Sequence, residues 1–150
     1  MSTTSTTNIY RTLRTRLLSF TPAAGATLAS RLGNRLFVAQ APDDATYPYG
    51  VMTLSLSTEG AYNGDREQGI FEVTLYDRPR SRQEALEDIA DICDGALLRY
   101  ADASSGLLFS RDRARASLPP APPPLDREVC AVRLAYSIVV WPEALTQYNS

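Results

Sequence analysis

Three segments of the chain alternate apolar and polar residues with period two. From Tyr49 to Ser57, Met52, Leu54 and Leu56 share one side while Thr53, Ser55 and Ser57 take the other. From Gly69 to Tyr76, Phe71, Val73 and Leu75 oppose Glu72, Thr74 and Tyr76. From Glu128 to Trp141, Cys130, Val132, Leu134, Tyr136, Ile138 and Val140 line one side. Such alternation predicts strands of an antiparallel or mixed sheet with one buried face. Two shorter apolar runs, 35–39 and 106–109, read as further strands. The first two long strands are joined by residues 58–68, rich in loop formers and too long for a tight turn, so an extended hairpin with a mobile tip is expected.

Two segments change period from two to about 3.6. Ile9, Leu13 and Leu17 recur every fourth position, which predicts a short helix over 8–19, capped by Thr7 or Asn8 and ended by Thr21-Pro22. Ser81 with Glu84 three residues later reads as a capping box, opening a helix over 81–100. Its apolar stripe runs through Ala85, Leu86, Ile89, Ile92, Cys93, Ala96, Leu97 and Tyr100. Glu84, Glu87, Asp88, Asp91 and Asp94 occupy the opposite side, which reads as a solvated face. Residues 21–34 read as a loop and 42–48 as a turn-rich connection. The expected architecture is one α+β domain, a mixed and mostly antiparallel sheet of four to five strands packed on two helices. It spans 8–142, between a flexible tail 1–7 and a C-terminal tail 143–150, with extended loops 58–68 and 111–127. Five of the ten prolines fall within 119–124, so that stretch is expected to be stiff and extended, as a spacer or as an arm that docks on a neighbour.

Composition then narrows the chemistry. At 150 residues and 44% hydrophobic, the chain has enough apolar sequence for a core without a disulfide or metal staple. It contains no histidine and no lysine; all 15 basic residues are arginine, against 17 acids. That removes a histidine base, a Ser–His or Cys–His pair, a Schiff-base lysine and a P-loop. A net charge of −2 argues against a protein that coats nucleic acid. Cys93 and Cys130 read as buried thiols, and no metal site or cofactor site is expected. Asp43-Asp44 and Asp88 with Asp91 are weak carboxylate pairs, the first in a turn and the second on a helix surface. The opening MSTTSTTN carries no signal-like segment, and no apolar run reaches the ~18 residues of a membrane span, so a soluble intracellular protein is expected.

The order of elements also carries a resemblance. Ile9-Tyr10, Leu13 and Leu17 open the chain; Tyr47-Pro48-Tyr49-Gly50-Val51 leads into the first hairpin strand. The segment 71–76, the helix with Ala85, Ile89, Ala90 and Ile92, and the closing 133–138 follow in turn. Over residues 8–141 this pattern resembles the tail terminator (tail completion) proteins of long-tailed bacteriophages and gene transfer agents. The resemblance implies a structural, non-enzymatic virion protein, assembled in the host cytoplasm and located in the tail or neck. Its members form six-membered rings that cap the tail tube, stop its polymerisation and join it to the head. Partners would be further copies of the chain, the tube protein and the neck or connector proteins, with DNA only as cargo through the lumen and no membrane. The proline-rich 118–125 insert and the Ala/Thr-rich 21–30 stretch depart from the family pattern.

A head-to-tail ring needs a heterologous interface that closes by rotation, and loops and strand edges supply one. Aromatic and arginine side chains dominate such contacts, which marks Tyr62, Arg66, Arg113, Arg115 and Leu118 as expected interface residues. Another neck or head-completion protein is the alternative in the same class. A small nucleic-acid-binding module using Arg111, Arg113 and Arg115 is an alternative in another, and an aspartate-based metal hydrolase is a third.

Overall fold

The structure, a computed structural model, describes residues 6–22, 25, 27–57, 67–102, 107–118 and 129–140. Along them run α1 (Thr6–Ser19), α2 (Leu28–Leu32), β1 (Leu36–Val38), β2 (Tyr49–Ser57), β3 (Glu67–Asp77), a 3₁₀ turn (Arg80–Arg82), α3 (Gln83–Leu97), β4 (Ala101–Asp102), β5 (Leu107–Leu118) and β6 (Cys130–Val140). The strands form one mixed sheet in the order β1-β2-β3-β6-β5-β4. Only β1 with β2 is parallel; every other pair is antiparallel.

All the helices pack on one face. Ile9, Leu13 and Leu17 of α1, Leu28 and Leu32 of α2 and the apolar stripe of α3 share a core with the inward residues of the strands. Those are Met52 of β2, Phe71, Val73 and Leu75 of β3, Leu107 and Phe109 of β5, and every second residue of β6 from Cys130 to Val140. In β2, β3 and β6, strand alternation puts each of them on the side the sequence pattern assigned. The rings of Phe71, Phe109 and Tyr136 meet edge to face at 6.0–6.2 Å, an arrangement aromatic quadrupoles favour. The chain is therefore an α+β single domain with two layers.

Several boundaries differ from the sequence reading. Among the described residues the sheet has six strands, more than the four to five expected; one of the additions is Ala101–Asp102, which pairs with the start of β5. The strand expected over 106–109 continues to Leu118, so 111–118 is ladder and not arm. A register shift between Phe109 and Arg113 absorbs the extra residues, and the alternation resumes beyond it. The stretch 21–34 is not all loop. Thr27 caps α2 by accepting from the Ser30 amide at 3.1 Å, and Leu28 and Leu32, one turn apart, go into the core.

The capping box does not form. Ser81 lies within the 3₁₀ turn, and α3 opens with Arg82 at its cap and no side-chain cap bond. Asp77 organises this corner instead. It is 2% exposed, accepts from the Arg78 amide at 2.7 Å and meets Arg82 Nε at 3.3 Å. At its other end α3 stops at Leu97, three residues early, because Leu98 turns to an extended ψ of 129° and Arg99 follows with a left-handed φ of 63°.

Candidate functional site

The acidic stripe of α3 does not face only water. Arg115 projects from β5 toward it, on the helix side of the sheet, opposite Leu134. Its Nη1 donates to Glu87 at 3.1 Å, and its Nη2 to Asp91 at 2.9 Å and Asp94 at 2.6 Å. Asp94 also accepts from the hydroxyl of the buried Tyr136 at 2.8 Å. The Arg115 guanidinium thus ties α3 to β5, and Asp94 extends the tie to β6 through Tyr136. Arginine suits this position because its planar fork serves several carboxylates at once. Partial burial pulls the guanidinium pKa down, but the bonds and charges of Asp91 and Asp94 outweigh it and hold the pKa above its usual value. Among the described residues its Nε is buried without a partner.

Other arginines act as tethers to backbone. Arg14 donates to Leu36 O at 3.1 Å and Asn34 O at 2.9 Å, joining α1 to the entry of β1. Arg35 Nε reaches Pro48 O at 2.9 Å. Arg16 Nε donates to Ala96 O at 2.8 Å, and its guanidinium carbon lies 5.0 Å and 4.6 Å from the ring centres of Phe20 and Tyr100. Arg14 uses the guanidinium fork to hold two carbonyls at once, while Arg16 combines one hydrogen bond with stacking on two rings.

Beside Arg16 runs an open groove of about 490 Å³, lined by Arg11, Thr12, Thr15, Ser19 and Tyr100. Its lining offers hydroxyls and guanidiniums but no carboxylate, thiol or imidazole to activate a nucleophile. Burial, with the charge of Asp102, pushes the Tyr100 phenol up, so it stays neutral. Both thiols are buried and free. Burial first, then Asp94, pushes Cys93 up to about 12. Burial and then Asp77 raise Cys130, which lies within contact of Asp77 O and Pro79 O. Thiols held in this way are poor nucleophiles. Asp43 and Asp44 lie exposed in their turn, and no cluster of potential metal ligands occurs among the described residues.

The far face of the sheet is covered by no helix among the described residues. At one end Phe37, Tyr47, Tyr49 and Tyr76 form an aromatic row, with Tyr49 and Tyr76 stacked at 5.2 Å. Burial, then the neighbouring tyrosines, pushes the Tyr49 phenol up to about 12. At the other end Ile70 is 47% and Leu108 48% exposed, beside a shallow groove of about 360 Å³ lined by Ser55, Gly69, Ser137 and Val139. Gly69 is needed there: a Cβ would lie 2.0 Å from Ser55 O.

The expected interface residues separate. Tyr62 and Arg66 lie outside the described residues, as do 58–66 and the proline-rich 119–128. Arg113 and Leu118 belong to β5, paired with Tyr136 and Ala131, and their side chains lie outside the description. Arg115 is paired with three carboxylates of its own chain. The sequence missed the aromatic row, although Tyr47, Tyr49 and Tyr76 were visible; only the register of β2 with β3 sets Tyr49 against Tyr76.

No protein-family model matches the chain, and no curated protein matches it. Twenty chains among solved structures do match. One of them, whose name states no function, is 14% identical, with a TM-score of 0.57, and the match covers 90% of this chain and 95% of that one. At that identity the likeness is one of fold.

Proposed function

We propose that this chain is a structural virion protein, a tail terminator whose copies form a six-membered ring on the end of the tail tube. The ring stops tube polymerisation and presents the tail to the head or neck. One observation carries the reading beyond the resemblance in element order. The strands joined by 58–66 meet at the Ser57–Glu67 end of the sheet, and those joined by 119–128 meet at the opposite, Leu118–Cys130 end. A subunit with connections leaving both ends of a rigid sheet is suited to contacts in two directions, as a cap between tube and neck requires. The absence of histidine and lysine and the raised thiol pKa values agree with a building block rather than an enzyme. The locking of Arg115 by three carboxylates weakens the nucleic-acid alternative, since that guanidinium has no free charge to give a phosphate.

The test is tail length. Particles made without this protein should carry overlong tubes that fail to join heads, and adding it back should restore both. Tails of normal length joined to heads in its absence would remove the proposal.

A further inference from the structure

The charges of this domain are unevenly divided between its two faces. On the helix side, α3 alone carries five acids and α1 three arginines. On the open side, the outward residues of β2 are Tyr49, Val51, Thr53 and Ser55, none of them charged. Leu108, Ala114 and Ala116 of β5, and Ala135, Ser137 and Val139 of β6, continue the same surface. Among the described side chains there, the only charges are Glu72 of β3 and Arg133 of β6. An antiparallel sheet facing water usually alternates apolar inward and polar outward. Depletion of charge, with the aromatic side chains of Tyr49 and Tyr76 at one end, is instead a feature of an interface centre.

The geometry points to a second copy of this chain as the occupant of the open face, packed sheet to sheet. One observation favours a copy over another partner, and a second shows that the face is of a size that can hold one. The first is self-complementarity. Glu72 lies opposite Ala135, and Arg133 lies opposite Thr74, so acid and base stand on adjacent strands two residues apart, at a diagonal of about 7–8 Å. They form no ion pair with each other among the described residues. When two such faces are related by a two-fold axis lying between them, Glu72 of each copy meets Arg133 of the other, twice. An uncharged face carrying one acid and one base in this relation matches itself. The helix side, with its separate acidic and basic helices, does not match it.

The second is area. Four strands spaced by ~4.8 Å, the longest rising ~3.3 Å per residue, give a face of roughly 19 by 36 Å, or about 700 Å². A stable interface covers about 800 Å² on each partner. The aromatic row at one end and Ile70 with Leu108 at the other supply the apolar anchors. This pairing does not rest on the terminator reading, because a head-to-tail ring uses two different surfaces and can form with or without it.

Sedimentation equilibrium of the full chain tests the pairing. The wild type should include a species of twice the 16.5 kDa chain mass. Glu72→Arg alone and Arg133→Glu alone should each weaken that association at least about tenfold, by setting like charges together twice. The double reversal should restore it, while far-ultraviolet circular dichroism stays unchanged in all three. Leu108→Asp should reduce it without unfolding the domain. A wild type that stays monomeric overturns the pairing, and so does association indifferent to both single reversals. A six-membered ring that survives the reversals would leave the terminator proposal standing and still remove this face from it.

Discussion

Phe71 and Ile70 are neighbours on β3, with similar hydrophobicity and opposite surroundings. Phe71 points toward the helices, has no exposed surface and packs on Phe109; Ile70 points away and is nearly half exposed. The same split runs along β2 and β6. Folding stability comes from the helix side, where burial and the Arg115 network combine. The open side is covered by no helix among the described residues. Hydrophobicity in a strand thus reports a buried face only when something covers it.

The comparison can be broken most sharply in its core half. Phe71→Ala should cost about 3–5 kcal/mol, read from urea unfolding, because it empties a site that three elements enclose. A cost below about 1 kcal/mol would mean that the helix layer does not pack as described. Next in size is Arg115→Met, which removes the cation that Glu87, Asp91 and Asp94 share. A loss of about 1–3 kcal/mol is expected, less than for a fully buried pair because Asp91 is well exposed, and added salt should recover part of it.

Alkaline pH probes the same side. The Cys93 thiol, ordinarily near 9.0, is held up to about 12 in the folded chain. Below pH 9 both states keep the proton and nothing is lost. Between pH 9 and 12 only the unfolded state releases it, so stability falls as pH rises. By pH 10 the loss from this group is on the order of 1 kcal/mol. The slope of stability against pH over that range should be shallower in Cys93→Ala than in the parent. Equal slopes would show that the thiol is not sealed. The smallest effect belongs to the open face: Ile70→Ala should change unfolding by no more than about 0.5 kcal/mol at concentrations where the chain is monomeric. A cost near that of Phe71→Ala would show that the face is covered within the monomer.

Much of the fold was legible before any coordinates. The alternation in 49–57, 69–76 and 130–140 placed Met52, Phe71, Val73, Leu134 and Tyr136 on the core side. The stripe of α3 also matched, because its hydrophobic period is long and clean. The misses have local causes. Five residues are too few for α2 to show a period. The Ser81–Glu84 spacing imitates a capping box but cannot act as one when Asp77 holds the preceding corner. Arg111 to Arg115 looked like a loop because the register shift after Phe109 interrupts the alternation of β5.

The candidate site was less legible. Arg115 and the acids of α3 are more than twenty residues apart, and a one-dimensional pattern cannot show that a cation will cross to them. The acidic stripe therefore looked like a solvated face, and Arg115 like a free anchor. By itself, the sequence determined which residues each strand and the long helix turn inward, because periods of two and 3.6 are local properties of the backbone. It also determined which catalytic groups the chain lacks. Only the tertiary structure decided that the described helices gather on one side of the sheet, that Arg115 is paired within its own chain and that, among the described side chains, the far face carries only Glu72 and Arg133 as charges. Those facts depend on strand order and layer packing, which join residues that no sequence period relates.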